Sequence, residues 1–249
     1  MNTLTGIEDI IFPPRCVVCG ELMERHYSTP LCLNCMRGIR FITSPLCLKC
    51  GIPFSAEQEN DHLCGQCLTE KKPYAVARSV TRYEGTILSA IHMFKYHGKT
   101  GIGKVLGNIM ADFLSGIWDM NAFDLIIPVP LHIKRLRERG FNQAVILARV
   151  LSKRFKITLD ISSLRRTLFT PPQVGLGRKE RSVNVKGAFS VISQNLISGK
   201  RILLIDDVYT TGSTLIECSR VLIEAKAEAV AVLTMARAIG EHDSKEGEK

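Results

Sequence analysis

The chain has no apolar run approaching the roughly 18 residues that a membrane helix requires. Its longest, around Ala229 to Met235, fits a buried strand. It also lacks a basic stretch followed by an apolar one at its start. Met1 to Asp9 carries Glu8 and Asp9, unlike a secretory leader, so the cytoplasm is the expected location. Aromatics are scarce at 6%, with a single tryptophan, yet hydrophobic residues reach 45% and charged ones 23%. That mixture excludes a disordered chain, a collagen and a coiled coil, and 249 residues suffice for a real core. Beyond residue 67 cysteine almost disappears. Only Cys218 remains, and it reads as a small buried hydrophobe within a helix.

The other eight cysteines form four CxxC pairs: Cys16/Cys19, Cys32/Cys35, Cys47/Cys50 and Cys64/Cys67. A CxxC turn presents two thiolates on one side of a tight knuckle, and two facing knuckles give a tetrahedron of sulfur, which suits zinc. The pairs Cys19-Gly20 and Cys50-Gly51 mark an internal repeat. The simple reading is two structural Zn²⁺ sites from sequential pairs. An interleaved arrangement, with the first knuckle facing the third, is the alternative. The missing leader disfavours a disulfide scaffold. His26 and His62 lie inside the module and read as surface residues, because the cysteines already complete both sets.

Charge is unevenly spread. The net charge is +9, but residues 132–187 hold 14 basic against 3 acidic side chains, net +11. The cysteine-rich stretch 1–70 holds 5 against 8, net −3. Each zinc held by four thiolates adds a further formal −2, which argues against the ribbons as a nucleic-acid surface and for a structural or docking role. The basic stretch calls for an anionic ligand. Its aromatics are few, Phe141, Phe155 and Phe169, so a single strand of DNA would be held there by its backbone more than by stacking.

Beyond Pro73 the texture becomes that of an α/β body. Val76 to Tyr83 alternates like a strand, and Thr86 to Tyr96 and Val105 to Trp118 show helical spacing. The strand Asp124 to Pro128 leads into a basic loop, followed by a helix from Phe141 to Phe155. Residues 165–187 read as a long loop. Arg201 to Ile205 forms a strand, Ser213 to Ala225 a helix and Ala229 to Met235 a last strand. This order predicts a parallel, twisted sheet with helices on both faces. The expected division is 1–72 for an N-terminal helix and double zinc ribbon, 73–240 for the α/β domain and 241–249 for a charged tail. Gly98 to Val105 nearly spells a nucleotide-binding P-loop, but Val105 stands where a Ser or Thr is needed, and the string follows a helix.

The most informative stretch runs from Leu203 to Thr214. An apolar strand ends in Asp206 and Asp207, and Thr210, Thr211, Gly212, Ser213 and Thr214 then open a helix. Hydroxyls, backbone N–H groups and a helix N-terminus form an anion cradle. The two carboxylates suit hydroxyl groups nearby, or a metal. Together they describe a ribose 5-phosphate.

This stretch resembles the 5-phosphoribosyl 1-pyrophosphate (PRPP) signature of type I phosphoribosyltransferases. The resemblance implies that Asp206 and Asp207 contact the ribose hydroxyls and that residues 210–214 hold the 5-phosphate. It also implies a pyrophosphate loop with Arg139 and Gly140 foremost and His132 and Arg135 beside them, Mg²⁺ bound with PRPP, and a flexible loop carrying Arg165, Arg166 and Arg181. The full layout resembles one subfamily. The cysteine pairs, Lys95-Tyr96, Pro128 to His132, Arg139 to Gln143, Thr170 to Gln173, Arg181 to Asn184 and the PRPP loop occur in the order of the ComF family, the ComFC- and GntX-like proteins. That resemblance implies a link with DNA uptake, competence or DNA utilisation, with single-stranded DNA or the uptake machinery as partner. It implies either phosphoribosyl transfer with pyrophosphate release or a non-catalytic PRPP sensor binding DNA through 132–187. The zinc module then takes the place of the hood that selects an acceptor in type I enzymes, with Val76 to Tyr83 beneath it.

Overall fold

The computed structural model describes residues 13–23, 30–55, 60–96, 98, 100–169 and 185–240. The expected N-terminal helix, His26, the stretches Thr170 to Gln173 and Gly177 to Asn184 with Arg181, and the charged tail lie outside the described residues.

Five strands form one parallel sheet: β1 (Val76–Arg82), β2 (Leu125–Pro128), β3 (Thr158–Leu159), β6 (Arg201–Tyr209) and β7 (Ala229–Arg237), in the order β1-β7-β6-β2-β3. A parallel sheet must bury both faces, and the strand sequences comply. Along β6, Leu203 and Ile205 turn to one side and Ile202 and Leu204 to the other. The first side packs on α3 (Gly85–Tyr96), α4 (Thr100–Leu114) and α6 (Gln143–Phe155) through Ile91, Phe94, Leu106 and Leu147. The second packs on α7 (Gln194–Ile197) through Ile197 and on α8 (Ser213–Glu224) through Leu215, Cys218 and Leu222.

The cysteine module holds two short helices, α1 (Leu33–Arg37) and α2 (Gly65–Thr69), and sits on the free edge of β1. Ile42 N–H donates to the Val80 oxygen at 2.9 Å, Arg82 N–H to the Arg40 oxygen at 2.9 Å, and Ala77 N–H to the Lys49 oxygen at 2.8 Å. An edge strand with unpaired N–H and C=O groups is an aggregation hazard, and the ribbons cover it. The first ribbon also joins the body's core: Cys16, Leu31, Cys32, Cys35 and Ile39 belong to the same buried cluster as Ile87 and Phe94.

Three segments depart most from the sequence expectations, while the helix expected at Val105 to Trp118 runs instead from Thr100 to Leu114 and β7 runs two residues past Met235. The basic loop after Pro128 is largely a helix, α5 (Ile133–Arg139), closed by Gly140 at φ 76°. Its Lys, Arg, Leu and Glu residues are good helix formers, but none is fully buried, so no apolar stripe announces it. The expected long loop at 165–187 contributes β4 (Leu164–Arg166), which pairs antiparallel with β5 (Phe189–Val191). β6 runs on to Tyr209 rather than stopping at Ile205, because β7 still pairs with it there. Residues 100–105 of the P-loop look-alike lie on α4, where Gly103 serves packing. A Cβ on Gly103 would come within 2.6 Å of Ile146 and Phe94 side-chain atoms.

Gly20 and Gly51 follow equivalent knuckles with similar left-handed φ, 76° and 70°, but only Gly51 abuts the body, where a Cβ would meet the Ala77 oxygen at 2.6 Å. Gly20→Ala should therefore cost about 1–2 kcal/mol, the ordinary left-handed penalty. Gly51→Ala should cost at least ~1 kcal/mol more, because it pushes the second ribbon off β1. Urea unfolding of the zinc-loaded chain compares them. Equal losses would mean that the ribbon does not depend on this close approach.

Candidate metal and phosphoribosyl site

The eight cysteines gather into two clusters, Cys16/Cys19/Cys32/Cys35 and Cys47/Cys50/Cys64/Cys67, with all ligand atoms of a cluster within 4.8 Å of one another. The pairing is sequential. Cys19 and Cys32 Sγ are 3.6 Å apart, and Cys50 and Cys64 Sγ 3.8 Å. A tetrahedron with Zn–S bonds of about 2.3 Å has edges of about 3.8 Å, so the spacing fits zinc. Backbone N–H groups supply the negative-charge support that thiolates need. Cys35 N–H points at Cys32 Sγ at 3.4 Å, and Cys50 and Cys64 N–H at Cys47 Sγ at 3.5 and 3.4 Å. Hydrogen bonds from Cys50 and Cys64 hold the Cys47 thiol far below its ordinary range. His62 is exposed and stacks on Phe54 at 4.0 Å, outside both clusters.

The second site lies where the sheet reverses direction. From β2 the chain moves outward to β3, and from β6 it moves the opposite way to β7. Such a switch point opens a crevice at the carboxyl ends of the strands. β2 ends early: Pro128 is opposite Ile205, while β6 continues four residues further against β7. Asp206 and Asp207 occupy that overhang.

The strand pleat sends the two carboxylates to opposite faces. Asp207 turns to the α3 side, where Lys95 Nζ meets its Oδ1 at 3.0 Å and its Oδ2 at 2.9 Å. Burial works against the Lys95 charge, but Asp207 outweighs it and raises the lysine's pKa. Asp206 turns the other way, towards Arg166 and Cys218. Burial first, and the neighbouring Asp207 charge second, push its carboxyl up to about 7. Asp206 Oδ1 also accepts from Asp207 N–H at 2.9 Å.

The loop of residues 210–212 leads directly into α8. Thr210 is exposed, Thr211 and Thr214 are half-buried, and the Thr211 and Ser213 hydroxyls lie 2.9 Å apart. Gly212, at φ 77°, is required by more than its turn. A Cβ there would lie 2.3 Å from Tyr209 Oη, so the tyrosine ring fills the space beneath the loop.

The segment after β2 is pinned by Asn142, whose Nδ2 donates to the Val129 oxygen at 2.9 Å while its Oδ1 caps α6 at Ala144 N–H, also at 2.9 Å. Arg139 lies with its guanidinium carbon 5.3 Å from the Tyr96 ring centre and donates to Gln143 Oε1 at 3.2 Å. The end of α3 thus touches both the end of β6 and the end of α5, Lys95 holding Asp207 and Tyr96 holding Arg139. His132 caps α5 through Nδ1, which accepts from Lys134 N–H at 3.3 Å, and faces Phe169. Arg135 reaches Glu138 at 3.9 Å and lies within electrostatic reach of Arg166. Arg166, half-buried over the Phe189 ring, joins this group, and with the exposed Arg165 it also lines a groove along α4 and α6.

In the sequence Lys95 is marked only as part of the Lys95-Tyr96 string, not as a site residue. Tyr74, Tyr209 and Arg237 gave no signal in the sequence, since all three lie just outside the strands expected there. The structure joins all three behind the loop.

Comparison with known proteins agrees with both halves. Residues 7–68 match the double zinc ribbon domain and residues 138–249 the phosphoribosyl transferase domain. The chain is 33% identical to competence protein F of Haemophilus influenzae, over 90% of this chain and 97% of that one. It is 31% identical to the DNA utilization protein YhgH of Escherichia coli K12, over 84% and 91%. It is 28% identical to competence protein ComFC of Bacillus subtilis, over 83% and 84%. With both domains present in order and the likeness running nearly end to end, the chain belongs to the ComF family of double zinc ribbon, phosphoribosyltransferase-type proteins.

Proposed function

We propose that this chain binds Mg·PRPP in the crevice between the ends of β2 and β6 and serves competence or DNA utilisation, as its relatives' names indicate for them. The observation that carries this reading is the β6 overhang. It sets two carboxylates two residues ahead of a hydroxyl-rich loop that opens the twelve-residue α8. The loop hydroxyls and the N-terminal end of α8 suit a 5-phosphate. Asp206, and Asp207 held by Lys95, suit the ribose hydroxyls. Arg139, Gly140, His132 and Arg135 border the place of the pyrophosphate, where guanidinium groups favour phosphate oxygens. Magnesium would neutralise pyrophosphate charge. The transfer such a site supports breaks the bond between ribose C1 and the pyrophosphate oxygen, while an acceptor's electron pair forms the new bond at C1. The basic groups stabilise the charge that leaves.

A second reading, a PRPP-responsive binder of single-stranded DNA, is favoured by one feature. An open groove of about 1530 Å³ runs beside the crevice along α4 and α6, with Lys104, Arg149, Lys153, Arg154 and Arg165 on its walls. Its test is salt: neutralised phosphates release counterions, so affinity should fall steeply as salt rises.

Phosphorus NMR of Mg·PRPP with the zinc-loaded chain tests the first reading. Broadened or shifted signals are expected. They should vanish in Asp206→Asn/Asp207→Asn, with zinc still bound. Unchanged binding in that variant would sink the site assignment, and free pyrophosphate appearing when an acceptor is supplied would establish turnover.

The Asp206 carboxyl also sets a pH dependence. Raised to about 7, it holds its proton more tightly in the folded chain than in the unfolded one. The ligand-free chain should therefore lose stability as pH rises from about 4 to about 7, and hold level above. PRPP affinity should move the other way, rising about tenfold from pH 6 to pH 8 as the carboxylate forms. Asp206→Asn should flatten both profiles relative to wild type, and matching wild-type and variant profiles would contradict this role.

A further inference from the structure

Arg237, the last residue of β7, is only 5% exposed. A buried guanidinium needs compensation. Among the described residues its partners are not carboxylates. Nη1 donates to the Cys50 oxygen at 2.8 Å, Nη2 lies 3.7 Å from Cys50 Sγ, and Cζ sits 4.1 Å from the centre of the Tyr209 ring. Zinc held by four thiolates is a formal dianion, so the second cluster supplies the charge that Arg237 requires. Hydrogen bonds to ligating sulfur, like other contacts behind a metal ligand, orient the ligand and tune the metal.

The far side of Tyr209 completes a path. Its hydroxyl lies 3.0 Å from that of Tyr74, which is fully buried. Its ring occupies the space where a Gly212 Cβ would stand. Cys50, Arg237, Tyr209 and Gly212 are thus in successive contact, from a metal ligand to the centre of the 210–214 loop. The first cluster is placed differently, packing into the core beneath α3.

We propose that Arg237 is a positioning residue that couples zinc in the second cluster to the phosphate loop, so that metal there and a phosphate on residues 210–214 strengthen each other's binding. The phosphate half of this statement rests on the reading of the loop given above. The reciprocity is a thermodynamic necessity once either ligand changes the other's affinity.

Hydrogen exchange of the segment 209–216, measured on the full zinc-loaded chain, tests the relay without any phosphate ligand. Cys64→Ser opens the second cluster, Cys19→Ser the first, and Arg237→Met cuts the link. Cys64→Ser and Arg237→Met should each speed exchange in 209–216 by about tenfold and weaken Mg·PRPP by a similar factor, while Cys19→Ser leaves that segment at the wild-type rate. Arg237→Met should also hasten transfer of one of the two zinc ions to a chromophoric chelator by about tenfold. Arg237→Lys keeps a cation over the ring and should recover part of each effect. Unchanged exchange in Cys64→Ser and Arg237→Met, or an equal response to Cys19→Ser, overturns the relay. If Arg237→Met does not fold, Cys64→Ser against Cys19→Ser decides. If the exchange responds as expected but wild type binds no Mg·PRPP, the phosphate reading falls and the relay stands.

Discussion

The free edge of β1 is the constraint around which the two halves are arranged. A five-stranded parallel sheet can bury both faces with helices, but its outermost strand still carries a row of unsatisfied N–H and C=O groups. The cysteine module meets them with main-chain bonds from Arg40, Ile42 and Lys49. A segment this short has little core of its own, and metal clusters are how such modules hold shape. The body stabilises the ribbons and the ribbons finish the sheet.

The crevice follows from the same sheet. Because β2 stops four residues before β6 does, the last residues of β6 have a ladder partner on one side only. Two adjacent acids there would repel one another, and the fold separates them. The pleat sends Asp207 to Lys95 and Asp206 towards Arg166. One carboxylate is paired with a lysine, and the other, its carboxyl pushed up to about 7, is free to respond to what binds beside it. The same adjacency in a loop would give two equivalent, solvated groups.

Much of this was legible in the residues. CxxC spacing fixes knuckles locally, so four pairs meant two metal sites. Their sequential assembly depends on which knuckles face each other in space, and spacing alone left that open. The loop at 210–214 was visible because its run of hydroxyl side chains around a glycine, between an apolar strand and a helix, is not one that burial alone selects. Other features left no trace. α5 has no apolar stripe, and β6 looked finished at Ile205 because Asp206 and Asp207 read as loop residues, although β7 keeps pairing with them. Arg237 lay beyond the last strand, which was expected to end at Met235. Its meaning comes from Cys50, which lies 187 residues away in sequence.

The first ribbon's place in the core has an evolutionary consequence. Cys16, Leu31, Cys32, Cys35 and Ile39 share one buried cluster with α3 and α4, so the seam near residue 72 separates the chain by composition but not in space. A gene fusion that swapped the ribbon at that seam would deliver a new module without the apolar surface that α3 expects, and an α3 without its cover. The two parts can change freely only together. A likeness that runs through both of them, spanning 97% of the Haemophilus influenzae protein, is the pattern of descent that such a shared core enforces.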